Sequence, residues 1–158
     1  MICETLSEFR ETVADGSRLV GLDVGSKTIG MAVSDSARTV ATSIDTIRRT
    51  KFSKDIISLK EILAKRDPGG IVIGLPVSMD GTEGPACQSV RQFATNLGAE
   101  IDLPITFWDE RLSTSAVERF LVNEADMSRK RRGEVVDKMA AAYILQGALD
   151  ALGNLPAG

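Results

Sequence analysis

Apolar residues recur along this chain at two periods, and the change from one to the other marks where strands give way to helices. Ile2, Leu6, Phe9 and Val13 fall at helical spacing and predict a short amphipathic helix within residues 1–17, ended by the break at Gly16-Ser17. Strand-like runs follow at 19–24 and 29–34, joined by Gly25-Ser26-Lys27-Thr28, a connection short enough to require an antiparallel hairpin. A third strand at 40–47 extends this pair into a meander.

The helical period then returns over 52–66, where Ile56, Leu59, Ile62 and Leu63 form a stripe that Asp67-Pro68-Gly69-Gly70 terminates. The wholly apolar run 71–75 suits a buried parallel strand, and the run 105–108 repeats the signal. Helices are predicted at 86–97, at 113–123, where Ser115 and Glu118 have capping-box spacing, and at 135–152. The order βββαβαβαα specifies an α/β fold: a mixed sheet with an antiparallel three-strand meander, two parallel strands and flanking helices.

The 158 residues, 43% of them hydrophobic, suffice for one core. Cys3 and Cys87 are too few and too far apart for a disulfide framework or a zinc knuckle, and no run is long and apolar enough to span a bilayer, so a reducing, cytoplasmic setting without membrane attachment is expected. The chain has no histidine, which excludes Ser-His-Asp and Cys-His catalysis and histidine metal sites. Hydrolytic chemistry here has to run on carboxylates.

Three acids stand where acids are costly. Asp23 interrupts the apolar run Leu19-Val20-Gly21-Leu22-Asp23-Val24, a place for a metal ligand or for a side chain that bonds the following turn. Glu110 follows the second parallel strand beside Asp109, and alternation of strand residues lets only one of the two face Asp23 readily. Asp137 shares a helical face with Ala140, Ala141, Ile144 and Ala148, a small-residue face that allows close approach to a sheet; a solvated position near the helix start is the other reading. Converging carboxylates are tolerated chiefly around a hard cation, so Mg2+ or Mn2+ is the expected cofactor and in-line phosphodiester hydrolysis the expected chemistry.

The net charge of −3 argues against a uniformly basic nucleic-acid coat, but Arg129-Lys130-Arg131-Arg132 is a dense cationic run just before Asp137, with Lys138 nearby. These side chains, together with Lys27 in the hairpin turn, are candidate phosphate contacts; a solvated loop is the alternative for the run. Arg111, beside Glu110, is a further candidate cation or an ordinary surface partner. The glycines of Gly74-Leu75-Pro76 and Asp80-Gly81-Thr82 either admit a nucleic-acid backbone or only make turns.

From residue 19 to about residue 150 the sequence resembles the YqgF family, whose members are described as Holliday junction resolvase-like proteins or as nucleases for precursor 16S ribosomal RNA. The resemblance is carried by Gly21-Leu22-Asp23-Val24-Gly25-Ser26-Lys27, Gly74-Leu75-Pro76, Asp80-Gly81-Thr82, Asp109-Glu110-Arg111-Leu112-Ser113-Thr114 and Val136-Asp137-Lys138-Met139-Ala140-Ala141. It implies a ribonuclease H-like nuclease domain over 18–153, with Asp23, Glu110 and Asp137 as the family's acidic, metal-binding triad, and leaves 1–17 as an extension with no inherited role. It further implies cytoplasmic maturation of the 5' end of precursor 16S ribosomal RNA, with resolution of branched DNA as the alternative. Ser43 and Ser78 depart from the family's more frequent proline and asparagine, and neither is a proposed ligand.

Two rival classes stand beside this reading. An actin-like or sugar-kinase-like ATPase has a similar first hairpin but needs two such domains, and a non-catalytic nucleic-acid-binding or regulatory module would keep the acids without cutting. The sequence does not distinguish a monomer from a homodimer.

Overall fold

The computed structural model describes residues 1–112 and 129–156, and for 129–138 the backbone alone. In chain order the elements are β1 (Ile2–Cys3), α1 (Leu6–Thr12), β2 (Leu19–Val24), β3 (Thr28–Ser34), β4 (Ala41–Arg48), α2 (Phe52–Arg66), β5 (Gly70–Leu75), α3 (Pro85–Glu100), β6 (Ile105–Asp109) and α4 (Arg129–Gly153). The six strands form one sheet in the order β1-β6-β5-β2-β3-β4. β2, β5, β6 and β1 run parallel, while β2, β3 and β4 form the antiparallel meander.

The local sequence accounts for these elements. The β2–β3 hairpin closes with the Gly25 amide donating to the Thr28 carbonyl at 2.9 Å. Asp67 ends α2 in the left-handed region at φ 48°, and Pro68 then forbids continuation of the helix. Pro85 occupies the first turn of α3, where its missing N–H costs no helical hydrogen bond.

Alternation along the strands sorts their side chains between two apolar layers. Val20, Leu22, Ile71, Ile73 and Ile105 pack with Ile56 and Leu59 of α2 and Phe93 and Leu97 of α3. On the opposite face Leu19 and Val72 pack with Phe9, Val13 and the α4 residues Ala141, Ile144, Leu145 and Ala148. The helix lies very close to the sheet there: a Cβ added at Gly21 of β2 would stand 2.7 Å from the Leu145 Cβ. The small-residue face read from the sequence is thus the face that α4 lays on β2.

The structure corrects two boundaries. The N-terminal helix starts at Leu6, capped by Thr5, whose hydroxyl accepts from the Glu8 amide at 3.1 Å, and Ile2 lies in β1 instead. The parallel edge of β6 takes the first residues as a partner: Ile105 N–H donates to the Met1 carbonyl at 2.8 Å and the buried Thr106 hydroxyl to the Cys3 carbonyl at 3.0 Å. The last helix begins at Arg129, not at 135, so the basic run 129–132 lies within its first turns and not in a preceding loop. The predicted helix at 113–123 falls outside the described residues.

Candidate active site

The C-terminal ends of β2, β5 and β6 lie side by side, the edge at which parallel α/β sheets gather functional groups. Asp23 is the penultimate residue of β2 and, by alternation with Leu19 and Gly21, belongs to the face covered by α4. Gly74 occupies the same face of β5, the strand between β2 and β6. A Cβ at Gly74 would lie 2.6 Å from Glu110 Oε1 and 2.9 Å from Glu110 Cγ. Glu110, one residue past β6, therefore lays its side chain across the bare middle strand toward Asp23.

The two carboxyl groups are joined by a hydrogen bond, which requires one of them to hold a proton. Burial first, then the Asp23 charge and that hydrogen bond, with a smaller contribution from Asp109, push Glu110 up to about 7 from its usual 4.5. Asp109 behaves in the opposite way. Its carboxylate accepts from Arg111 Nε at 3.0 Å, from Arg111 Nη2 at 2.6 Å and from the Arg111 amide at 3.0 Å, and this pairing holds it below the usual carboxylate range. Of the two adjacent acids the geometry brings Glu110 beside Asp23 and ties Asp109 to Arg111.

Asp23 and Glu110 line a cleft of about 330 Å³ together with Val24, Gly25, Ser26, Arg49, Pro76 and residues of α3. Lys27 is exposed in the adjoining hairpin turn. Arg111, a candidate phosphate ligand, is engaged by Asp109, and its Nη1 donates to the Ser78 carbonyl at 3.3 Å, so its guanidinium braces the 76–84 loop. Gly81, at φ 87°, serves that loop's turn, and Gly74 accommodates the Glu110 side chain. Asp137 falls within α4, and its side chain, like those of Arg129, Lys130, Arg131, Arg132 and Lys138, lies outside the described residues. Among the described residues no three acidic or cysteine side chains group as a metal site; the pair Asp23 and Glu110 is what they provide.

Sequence reasoning missed Arg49. It follows β4 directly, beside Arg48, and two adjacent arginines at a strand end read as surface charge. Its amide instead donates to the Lys27 carbonyl at 2.8 Å and its Nη1 to the Gly25 carbonyl at 2.7 Å, which tethers β4 to the β2–β3 turn at the cleft.

A mixed sheet in this order, covered by helices on both faces and bearing an acidic pair at the ends of its parallel strands, has the ribonuclease H-like fold. Two solved structures share the fold. They are Thermus thermophilus RuvC in complex with a Holliday junction substrate (TM-score 0.52, 16% identity, covering 87% of this chain and 96% of that one) and the yeast mitochondrial Holliday junction resolvase Ydc2 (TM-score 0.51, 13% identity, 94% and 84%).

The chain belongs to the RuvX (YqgF) family, described as Holliday junction resolvase, whose model matches residues 17–151. A protein of Paramagnetospirillum magneticum is 63% identical over 144 residues (91% of this chain, 92% of that protein), and one of Ruegeria pomeroyi 59% identical over 155 residues (98% and 100%). Both carry the name "putative pre-16S rRNA nuclease". Family and relatives place the chain among enzymes that hydrolyse phosphodiester bonds.

Proposed function

We propose that this protein is a metal-dependent nuclease that trims the 5' end of precursor 16S ribosomal RNA in the cytoplasm, with Asp23, Glu110 and Asp137 as its acidic residues. The observation that carries the reading is the Asp23–Glu110 carboxyl pair, buried enough to hold a shared proton near neutral pH and set in an open cleft at the strand ends. Two oxygen-donor groups that repel each other when both are ionised fit a hard divalent cation such as Mg2+ or Mn2+. When bound, such an ion supplies Lewis-acid stabilisation of the charge that develops on the phosphoryl group.

The chain's own residues do the rest. Glu110 lies over Gly74 and is hydrogen-bonded to Asp23, so its carboxyl group is positioned before substrate arrives. The proton that Glu110 retains near pH 7 in the metal-free protein has to leave before its carboxylate can serve as a ligand, so Glu110 couples metal binding to proton release. The Gly25-Ser26 turn and Arg49 line the same cleft, where a nucleic-acid backbone would lie.

The test compares wild type with Asp23→Asn, Glu110→Gln and Asp137→Asn on a precursor 16S transcript and on a four-way DNA junction, with Mg2+, Mn2+ or chelator. The expected outcome is metal-dependent cleavage of the transcript by the wild type alone, with binding retained in the variants. Preferential cleavage of the junction would move the substrate to branched DNA, in keeping with the family's description. Binding without cleavage of either would replace the nuclease by a binding module.

A further inference from the structure

We propose that Arg49 is a phosphate-binding residue of the cleft, holding a non-bridging oxygen of the nucleic-acid backbone next to the Asp23–Glu110 pair. The inference deepens the nuclease reading and rests on it for the identity of the ligand.

Position comes first. Arg49 lines the same cleft as Asp23, Ser26 and Glu110, at the end where β4 meets the β2–β3 turn. The negative charge of the acidic pair repels a polyanion, so a backbone that enters needs a fixed positive charge within reach as well as any metal ion.

Preorganisation comes second. The Arg49 guanidinium is held by Nη1 donating to the Gly25 carbonyl at 2.7 Å and by the Phe93 ring, whose centroid lies 5.5 Å from Cζ. Phe93 is itself buried and packed edge-on against Phe52, with ring centroids 5.7 Å apart and planes at 84°. The side chain is therefore restrained, unlike the exposed Lys27 and Arg48 nearby.

Charge comes third. Both partners that restrain Arg49 are neutral, and no ion pair among the described residues includes it. It shares a cleft with two acids, yet its described hydrogen bond goes to a carbonyl. A guanidinium carries five N–H donors in a rigid fork that matches phosphate oxygens, and one of Arg49's is spent on Gly25. An arginine restrained by neutral groups, half-buried beside an acidic pair, is built to receive an anion.

The experiment measures binding of a fluorescently labelled RNA hairpin in chelator across a salt series, for wild type, Arg49→Gln and Arg49→Lys, alongside cleavage of the same hairpin extended by precursor sequence in Mg2+. Arg49→Gln should bind about tenfold or more weakly, the scale of removing one charge-assisted hydrogen bond, and its log–log salt slope should fall by about 0.7–0.9. Arg49→Lys should restore the slope while recovering only part of the affinity, a split that loss of packing does not produce. An Arg49→Gln protein with wild-type affinity and slope overturns the proposal even where the wild type cleaves. Should Arg49→Gln fail to fold, Arg49→Lys decides alone: affinity equal to wild type overturns the fork geometry, and weakened affinity at unchanged slope supports it. If the wild type binds through Arg49 but never cleaves, the nuclease reading falls and the phosphate site stands.

Discussion

Gly74 lies beneath Glu110: the carboxylate oxygen Oε1 stands 2.6 Å from where a Cβ on Gly74 would be. No rotamer change at position 74 relieves that clash, since the Cβ is fixed by the backbone, and the same Cβ would meet Ile144 Cδ1 at 2.5 Å. Gly74→Ala should therefore push Glu110 off Asp23. A displacement of about 1 Å at a catalytic group typically costs about 100-fold in rate, with overpacking adding roughly 1–3 kcal/mol of destabilisation. Single-turnover cleavage alongside RNA binding in chelator checks this: the single-turnover rate constant should collapse while affinity stays at the wild-type level.

The proton on Glu110 gives a stability signature of definite sign. Its carboxyl titrates near 4.5 when unfolded and at about 7 in the folded protein, so the folded state binds the proton more tightly. Stability of the metal-free protein is then highest below pH 4.5 as far as this group is concerned, falls as pH rises toward 7, and is flat above. The loss amounts to at most about 3–4 kcal/mol, less as solvent and Asp23 share the charge. Glu110→Gln removes the dependence and should exceed the wild type in stability at pH 8 in chelator. Denaturant melts across pH measure it.

Cys3, Phe9 and Val13 tie the N-terminal segment to the core. Phe9 is fully buried and its ring sits against Gly70 of β5, where a Cβ would come within 2.7 Å of Phe9 Cζ. Arg10 reaches the other end of the chain, donating from Nη2 to the Pro156 carbonyl at 2.7 Å. Phe9→Ala should cost about 3–5 kcal/mol, as large core truncations do, with the pH dependence of Glu110 unaltered. Urea denaturation reads the first and the pH series the second.

The run Arg129-Lys130-Arg131-Arg132 lies in the first turns of α4, whose later turns, at Ala141 and Ile144, pack at Gly21 of β2, the strand that bears Asp23, and at Gly74 beneath Glu110. Neutralising all four should weaken RNA binding and lower its salt slope, by up to about 0.7–0.9 for each phosphate left without its cation. An unchanged slope would take this run out of the nucleic-acid interface.

The strands and helices were legible because their apolar periods differ and their stops are strong; the Asp67-Pro68 end of α2 is one example. Ile2 misled because its spacing from Leu6, Phe9 and Val13 is helical, while an open parallel edge of β6 claims its backbone. Asp23 announced itself as an acid inside an apolar run. The choice between Asp109 and Glu110 did not follow from the residues, because the strand ends between them; Gly74 and the Asp109–Arg111 ion pair decide it in space. Arg49 was invisible for a different reason: its partners Gly25 and Phe93 lie 24 and 44 positions away in sequence, and no local pattern distinguishes it from Arg48.

The most direct test of the Asp23–Glu110 pair counts protons as a divalent ion binds. Mn2+ titrated calorimetrically at pH 6, in buffers of different ionisation enthalpy, should displace about one proton per wild-type molecule, because a carboxyl near 7 is still protonated there and must ionise to become a ligand. Glu110→Gln should bind Mn2+ more weakly and release almost none. Equal affinity and equal proton release in the two proteins would contradict the account.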